Sequence, residues 1–570
     1  MVLNHGLVLY WFTKLNLAPL SLLMAYNLYF KLFLFAVFFL STLWVFRIYI
    51  NGPNRKVSGK GAGLIIAAML LLLWAVRIPF LREREYDIDT STWLSAVIAI
   101  NHYPDKLWTL LNYTDARPLT VFPLLAGSWA GMPVNYGSAE IIGLLLWTGT
   151  VLLLYQVCKL FSGRSLSLVL TWSLALFLGT ICHIFAAYNS EHNSIFMVTA
   201  GVALFFLYVY RRWTGPVIAS VTGVLLGSLV YVKFQNAPMG LLTGAFLLLA
   251  MAQRKDWWNM TALLIGCLFP TILVNVFYGL RGKLDVFWNN YFWNYFYYSF
   301  TTQFSSMPIA ERFSPGRVVR FIFYATSSGV YVLTLAALAV ALPVLSFKKW
   351  SSDFKTNWIP FVFTFLFVLL SIYAVLQSGN NFEHYKLFLF VPLLIFNALF
   401  LSVTHPEVRK YAVGLLLLGG IVQTAVSLKY LDGNLAYDKR DDTDKKVVGH
   451  IVSHTRSSDP VVVWGWRDGL LVSSQRPMGY RDVHTFHFSM KSPLVPNWTR
   501  DFVEDMEENK PKIFIEAMIR DYSERGHLFL PHDKVPVVRE YVQRHYQLVK
   551  ELDGVKIFHR KEAPALSLLR

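Results

Sequence analysis

The chain has 570 residues, 55% hydrophobic and 16% aromatic, with only 15% charged and a mean hydropathy of +0.44. A soluble domain carries about 25% charged residues, so this composition excludes an ordinary soluble protein and describes a polytopic α-helical membrane protein. The formal charge of +17 does not mark a nucleic-acid binder, because much of it lies in short loops between apolar stretches, where basic residues orient spans.

Residues 1–60 form an N-terminal membrane segment. Residues 6–24 are apolar but interrupted by Lys14 and Pro19, while Ala25 to Ile50 is long enough to span. No charged leader with a small-residue cleavage site is visible, so no removable signal peptide is expected. The basic stretch NGPNRKVSGK follows, and Gly61 to Phe80 is the next span.

Leu81 to Gly137 is the one long polar passage in the first three-quarters of the chain. Helix connections in bundles need about 2–8 residues, so this loop is more than a connector. It carries Asp87, Asp89, Asp105, Asp115 and Arg117, with Trp93, Trp108 and Trp129 among them. Taken singly, each carboxylate reads equally well as loop solvation. Together, at a membrane surface, they read as a site.

Further spans fall at 138–161, 166–187, 195–213, 215–232, 238–252, 260–280, 320–346, 359–377, 386–403 and 411–429. The total is about 12–13 transmembrane helices. Alternate loops carry Arg164, then Arg211 and Arg212, then Arg254 and Lys255, then Lys348, Lys349 and Lys355, then Arg409 and Lys410. Basic loops stay inside, which puts 81–137, 188–194, 233–237, 281–319, 378–385 and everything after 430 on the outer face. In a bacterium this is the periplasmic side of the inner membrane. Cys158, Cys182 and Cys267 all lie in apolar stretches and form no disulfide framework.

Residues 430–570 contain no run long enough to span, and read as a soluble extracytoplasmic α/β domain. VVVWGW (461–466) and KIFIEA (512–517) are short β-rich strands, and 442–455 and 535–545 have helical patterns. In YQLVKELDGVKIFH, Asp553-Gly554 sits between apolar alternations as a hairpin turn. No metal cluster, glycine-rich phosphate loop or nucleophile elbow is visible in this part, so it is expected to bind or select an acceptor.

Chemistry is therefore expected where the outer loops meet the membrane. They offer Asp87 and Asp89; Asp115 and Arg117; Glu191, His192 and Asn193; Lys233 and Gln235; Arg281 and Lys283; and Glu383, His384 and Lys386. Carboxylates can take a proton from a hydroxyl or hold a hard cation. Arg and Lys clamp phosphate oxygens. Plain readings stand beside these: Lys233 can snorkel, Arg281 can end its helix, and the 291–300 aromatics can be an interfacial belt. His192 lacks the HxxxH or HExxH spacing of a zinc site, so an oxygen-rich metal or a hydrogen bond suits it better.

In order along the chain, these residues resemble the GT-C superfamily of membrane glycosyltransferases, in particular the bacterial relatives of protein O-mannosyltransferases (glycosyltransferase family 39-like) and aminoarabinose transferases. Asp87-Ile88-Asp89-Thr90 and Arg117-Pro118-Leu119-Thr120 are similar to the acid pair and basic-Pro-Leu elements of that group's first loop. NSEHNSIF (189–196), VKFQNAPMG (232–240), FEHYKLFLFVPL (382–393) and VVVWGWRDGLLVSSQRP (461–477) resemble later motifs. The acid pair is not adjacent here, Arg117 stands where the group has lysine, and the segment before Gly61 lies outside the usual plan.

The resemblance implies a GT-C catalytic domain over 61–429. It would move a sugar from a polyprenyl-phosphate donor to a lipid, glycan or protein acceptor with inversion. Asp89 is the implied base with Asp87 as its rival. Arg117, Lys233, Gln235, His384 and Lys386 are the implied donor-phosphate contacts. Asp87, Asp115, Glu191 and His192 are the set for a divalent cation, Mg or Mn, with no other cofactor. The competing class is a transporter or flippase for lipid-linked sugars. Such proteins usually show midplane charges or internal repeats, whereas here the polar groups gather in outer loops.

Overall fold

The computed structural model describes residues 28–51, 57–78, 81, 83–106, 118–180, 185, 187–213, 215–302, 307–323, 328–429, 440–482, 485–489, 492–518 and 530–561. In lipid, every backbone polar group must be satisfied within its own segment, so the apolar runs fold as helices. Among the described residues nine helices are long and apolar enough to cross a membrane, and the chain is an integral, multi-pass membrane protein. One of them, Tyr136–Gly179, has 44 residues and is two helices in succession, because Gly163 within it has φ 74° and ψ 173°. Glycine adopts that positive φ without a Cβ penalty, so the turn falls there, just before Arg164. Gly329–Leu345 and Phe347–Thr356 form a pair bent by 80°, and Pro216–Tyr231 is a shorter apolar helix. Every span expected from Ala25 onward has a helix at its place, while residues 6–24 lie outside the described residues.

The spans differ in what surrounds them. Of the most apolar window of Glu383–Val403, 89% is buried within the protein, and of Ser190–Val209, 72%. Trp257–Gly279 at 17% and Leu28–Asn51 at 22% lie on the rim. Trp257–Gly279 approaches Pro216–Ser228 backbone to backbone. A Cβ on Gly223 would stand 2.1 Å from the Leu263 carbonyl oxygen, and one on Gly266 2.2 Å from that of Ser220. Small residues permit this close crossing, which substitutes for hydrophobic drive in lipid.

The loops expected on the outer face are more structured than their sequence implies. Within 81–137 lie the helices Ile88–His102 and Pro118–Trp129. Within 281–319, expected as a loop, the chain forms Leu284–Trp288, a π turn at Asn289–Trp293, Asn294–Phe300, Ile309–Arg312 and Pro315–Phe323. Stacked rings hold these short helices, for example Tyr278 on Phe287 at 4.4 Å and Phe234 on Tyr295 at 4.8 Å. Ring pairs of this kind are each worth about 0.5–1.5 kcal/mol beyond burial. The span expected at 320–346 starts later, at Gly329, because Pro315–Phe323 is a separate amphipathic helix.

The C-terminal α/β domain has a four-stranded sheet in the order β1-β2-β4-β3, with β1 Val461–Gly465, β2 Ile513–Ala517, β3 Tyr546–Leu552 and β4 Val555–Arg560. β1 and β2 are parallel, and β4 runs antiparallel to β2 and β3. Asp553 (φ 48°) and Gly554 (φ 83°) make the β3–β4 turn, whose primed geometry matches the twist of the strands. The sheet shares one apolar core with the Ile88–His102 helix, in which Trp93 and Val97 lie with Val463, Leu471, Ile515 and Ile557. Polar contacts fasten the same join: Thr92 Oγ1 donates to Asp468 at 2.7 Å, and Lys106 pairs with Glu508 at 2.7 Å. A second join links the domain to the aromatic segment, where Asn290 bonds Asp501 at 3.1 Å and receives the Trp498 indole N–H at 3.0 Å.

Candidate active site at the mouth of the central spans

Asp87 is the N-cap of the Ile88–His102 helix. Its backbone is extended (φ −140°, ψ 134°), and its Oδ1 accepts from the Asp89 N–H at 3.0 Å. An aspartate there satisfies an otherwise orphaned donor and sits at the positive end of the helix dipole. Asp89 follows in the first turn, and both are half-buried. The turn is tied to the next outer loop, since Thr90 Oγ1 donates to the Tyr188 carbonyl at 2.8 Å and Asn193 Nδ2 to that of Leu119 at 2.6 Å.

That loop ends in a second cap. Asn189 Oδ1 accepts from the Glu191 N–H at 3.1 Å and lies 2.8 Å from His192 Nδ1, so Asn189 and His192 form a capping box. The His192 ring packs against Trp147, 5.2 Å between centroids. Glu191, fully buried, turns the other way and pairs with Lys233, whose Nζ also donates to Ser190 Oγ at 2.9 Å. Lys233 stands over the Tyr385 ring at 4.7 Å, and His384 Nε2 lies 3.8 Å from Glu191 Oε1. Three segments distant in sequence thus deliver Glu191, Lys233 and His384 to one place, and the Asp87-capped helix is tied to the first of them through Thr90 and Tyr188.

The turn Glu383–Lys386 joins this set to a second one. Lys386, fully buried, donates to both Glu383 oxygens at 2.9 Å and lies 4.7 Å from the centre of the Phe321 ring. Beside it is a cavity of about 580 Å³ lined by Glu311, Arg317, Arg320, Phe321, Asn381 and Glu383 among others. Arg317 donates to the carbonyls of Arg312 at 2.7 Å and Leu376 at 3.1 Å, and Arg312 to that of Gln377 at 2.8 Å. The charged residues lining this cavity are two arginines, Arg317 and Arg320, and two glutamates, Glu311 and Glu383.

Of the residues expected from sequence, Glu191, Lys233, His384 and Lys386 converge, and Asp87 caps the helix tied to them. Gln235 is buried but donates to the Ala374 carbonyl at 3.1 Å. Asp115 and Arg117 lie outside the described residues. Of the set expected for a divalent cation, Asp115 lies outside the described residues, while Glu191 pairs with Lys233, His192 Nδ1 lies against Asn189, and Asp87 Oδ1 caps its helix. Among the described residues these three give no cluster of ligand atoms within 4.8 Å of one another. Arg312 and Arg317 were missed. Their signal is the ERFSPGR run, two arginines bracketing a Ser-Pro-Gly turn just before a span, where buried charge tends to be functional.

No protein-family model matches the chain, and no curated protein matches it by sequence. Solved structures do. ArnT from Cupriavidus metallidurans bound to undecaprenyl phosphate is 11% identical, with a TM-score of 0.52 over 88% of this chain and 98% of that one. Its apo state gives 12% and 0.51 over 87% and 97%. The Archaeoglobus fulgidus oligosaccharyltransferase tethered with an acceptor peptide gives 9% and 0.48 over 86% and 72%. The chain has the fold of ArnT over most of its length.

Proposed function

We propose that this protein, whose fold is that of the GT-C membrane glycosyltransferases, moves a sugar from a polyprenyl-phosphate donor to a lipid, glycan or protein acceptor at the extracytoplasmic face. The observation that carries the reading is the turn 383–386. It sets His384 against Glu191 and Lys233 on one side, and Glu383 and Lys386 beside the cavity that Arg317, Arg320 and Glu311 help to line on the other. A lipid phosphate needs such cations at a span mouth, and undecaprenyl phosphate is what the similar ArnT binds.

The reaction follows from charge. A first-loop aspartate takes the proton of the acceptor hydroxyl or amine as its heteroatom forms a bond to the anomeric carbon. The bond from that carbon to the donor phosphate oxygen breaks, its electrons leave on the phosphate, and the anomeric centre inverts. Lys233, His384, Lys386 and Arg317 stabilise the leaving charge, the largest electrostatic task of the step. We take Asp87, the N-cap of the Ile88–His102 helix, as the base, with Asp89 in the same first turn as its rival. Glu191 positions Lys233 and keeps its ammonium buried yet paired. The C-terminal domain, fastened to the helix that Asp87 caps, contributes to the acceptor side.

Native mass spectrometry of the detergent-solubilised protein with undecaprenyl phosphate tests the donor half. One bound lipid per chain, weakened at least ~10-fold in Arg317→Met, is expected from loss of a charge-assisted contact of about 1.5–3 kcal/mol. No binding by the parent protein would sink the reading.

A further inference from the structure

We infer that His450, His454 and His559 form a binding site for a divalent transition-metal ion of the zinc class. The site lies in the C-terminal domain, apart from the carboxylates discussed above, and does not depend on the proposed transferase reaction. His450 and His454 project from one face of the Arg440–His454 helix, four residues apart, and His559 reaches them from β4. One ring nitrogen from each lies within 4.8 Å of the other two, and Nε2 of His450 and of His559 are 2.9 Å apart. In a tetrahedral site with metal–nitrogen bonds of about 2.0–2.1 Å, ligand nitrogens stand roughly 3.3 Å apart, so little movement is required.

Orientation supports the same conclusion. His454 Nδ1 lies 2.8 Å from the His450 carbonyl oxygen. A carbonyl only accepts, so Nδ1 carries the proton and Nε2 keeps its lone pair for the cluster. Metal-binding histidines commonly donate their second N–H to a carbonyl in this way. A bare His450–His559 hydrogen bond is the competing account, but it does not call for the third ring, which lies 4.1 Å from His450 and 5.0 Å from His559 between centroids. The further charge acting on His450 is the Lys550 ammonium on β3. With imidazoles as the only ligands, the site suits Zn, Co, Ni or Cu rather than Mg or Ca, which take oxygen. His454 is exposed, which leaves a coordination position open to solvent. A bound ion would fasten this helix to β4.

The test uses full-length protein in detergent, stripped with a chelator and titrated with Co(II), read by visible absorption and by thermal shift. One equivalent in tetrahedral coordination is expected, with a rise in the melting temperature. Each of His454→Ala and His559→Ala should lower affinity by at least ~10-fold, since even loss of an outer partner costs about 10–100-fold. Apo melting temperatures of the variants confirm that they fold, and exposed His454 is the safer site for substitution. No uptake by the parent, or unchanged affinity in either variant, overturns the assignment.

Discussion

Two helices of this protein are almost equally apolar and have opposite surroundings. Glu383–Val403 has a window hydropathy of 2.2 and is 89% buried in protein; Trp257–Gly279 has 2.1 and is 17% buried. Lipid tails are as apolar as leucine, so hydropathy reports that a segment sits in the membrane and not what it touches there. The difference lies at the helix ends. Trp257–Gly279 ends in exposed Leu280, while Glu383–Val403 begins with Glu383 and Lys386, paired with each other, and His384, set against Glu191 of another segment. The buried helix is the one that carries the charged turn on which the proposed function rests.

The largest structural effect should come from breaking the pair at its mouth. Removing one partner of a buried ion pair leaves an uncompensated charge and costs about 3–5 kcal/mol. Lys233→Met, which strands Glu191, should therefore lower thermal stability by that amount in a detergent melt. Lys233→Met together with Glu191→Leu should recover much of the stability while donor binding stays weak. Equal melting of Lys233→Met and parent would show that the pair is not buried as described.

The comparison can be sharpened along the two helices themselves. Leu394, fully buried, should cost about 2–5 kcal/mol as Leu394→Ala. Leu268 is 61% exposed toward the rim, and Leu268→Ala should change stability by less than ~0.5 kcal/mol. Similar losses at both positions would place them in one environment.

A smaller effect is expected from acid. Glu516 on β2 is buried, which alone would raise its carboxyl. Bonds from His532 and from Lys556, the latter at 2.9 Å, outweigh that and hold it at about 2, below the usual 4.5. A depressed carboxylate stabilises the fold above its unfolded value and loses that contribution as pH falls. The melting temperature of the parent should therefore drop between about pH 4.5 and 2, and Glu516→Gln should flatten that part of the profile. A profile that is the same in both proteins would contradict the assignment.

The spans, their order and the strands of the C-terminal domain were legible because each rests on local sequence. Apolar length marks the helices, Gly163 the break between two of them, and Asp553-Gly554 the hairpin. The candidate site was legible as a list of residues but not as pairings. Nothing near Lys233 in sequence names Glu191, 42 residues away, as its partner, and nothing marks His192 as a cap rather than a metal ligand. The 281–319 segment hid its helices because short pieces of four to nine residues held by ring stacking have no long hydrophobic period. His450 and His454 do show an i, i+4 spacing in sequence, but the third ring lies 109 residues beyond His450 and only the sheet brings it there.

The central claim is that a first-loop aspartate acts as base on an acceptor beside a lipid phosphate held by the buried cations. The most direct measurement is sugar transfer from an undecaprenyl-phosphate-linked sugar by the reconstituted protein, with Asp87→Asn and Asp89→Asn run beside the parent. Asn keeps the shape of the side chain and can still accept at the helix N-terminus, so folding and donor binding should persist. The account predicts turnover by the parent, a loss of about 10²–10⁴-fold in Asp87→Asn with donor binding retained, and a smaller loss in Asp89→Asn. Parental turnover in Asp87→Asn, with the loss confined to Asp89→Asn, would move the base by two residues, and parental turnover in both variants would contradict the account.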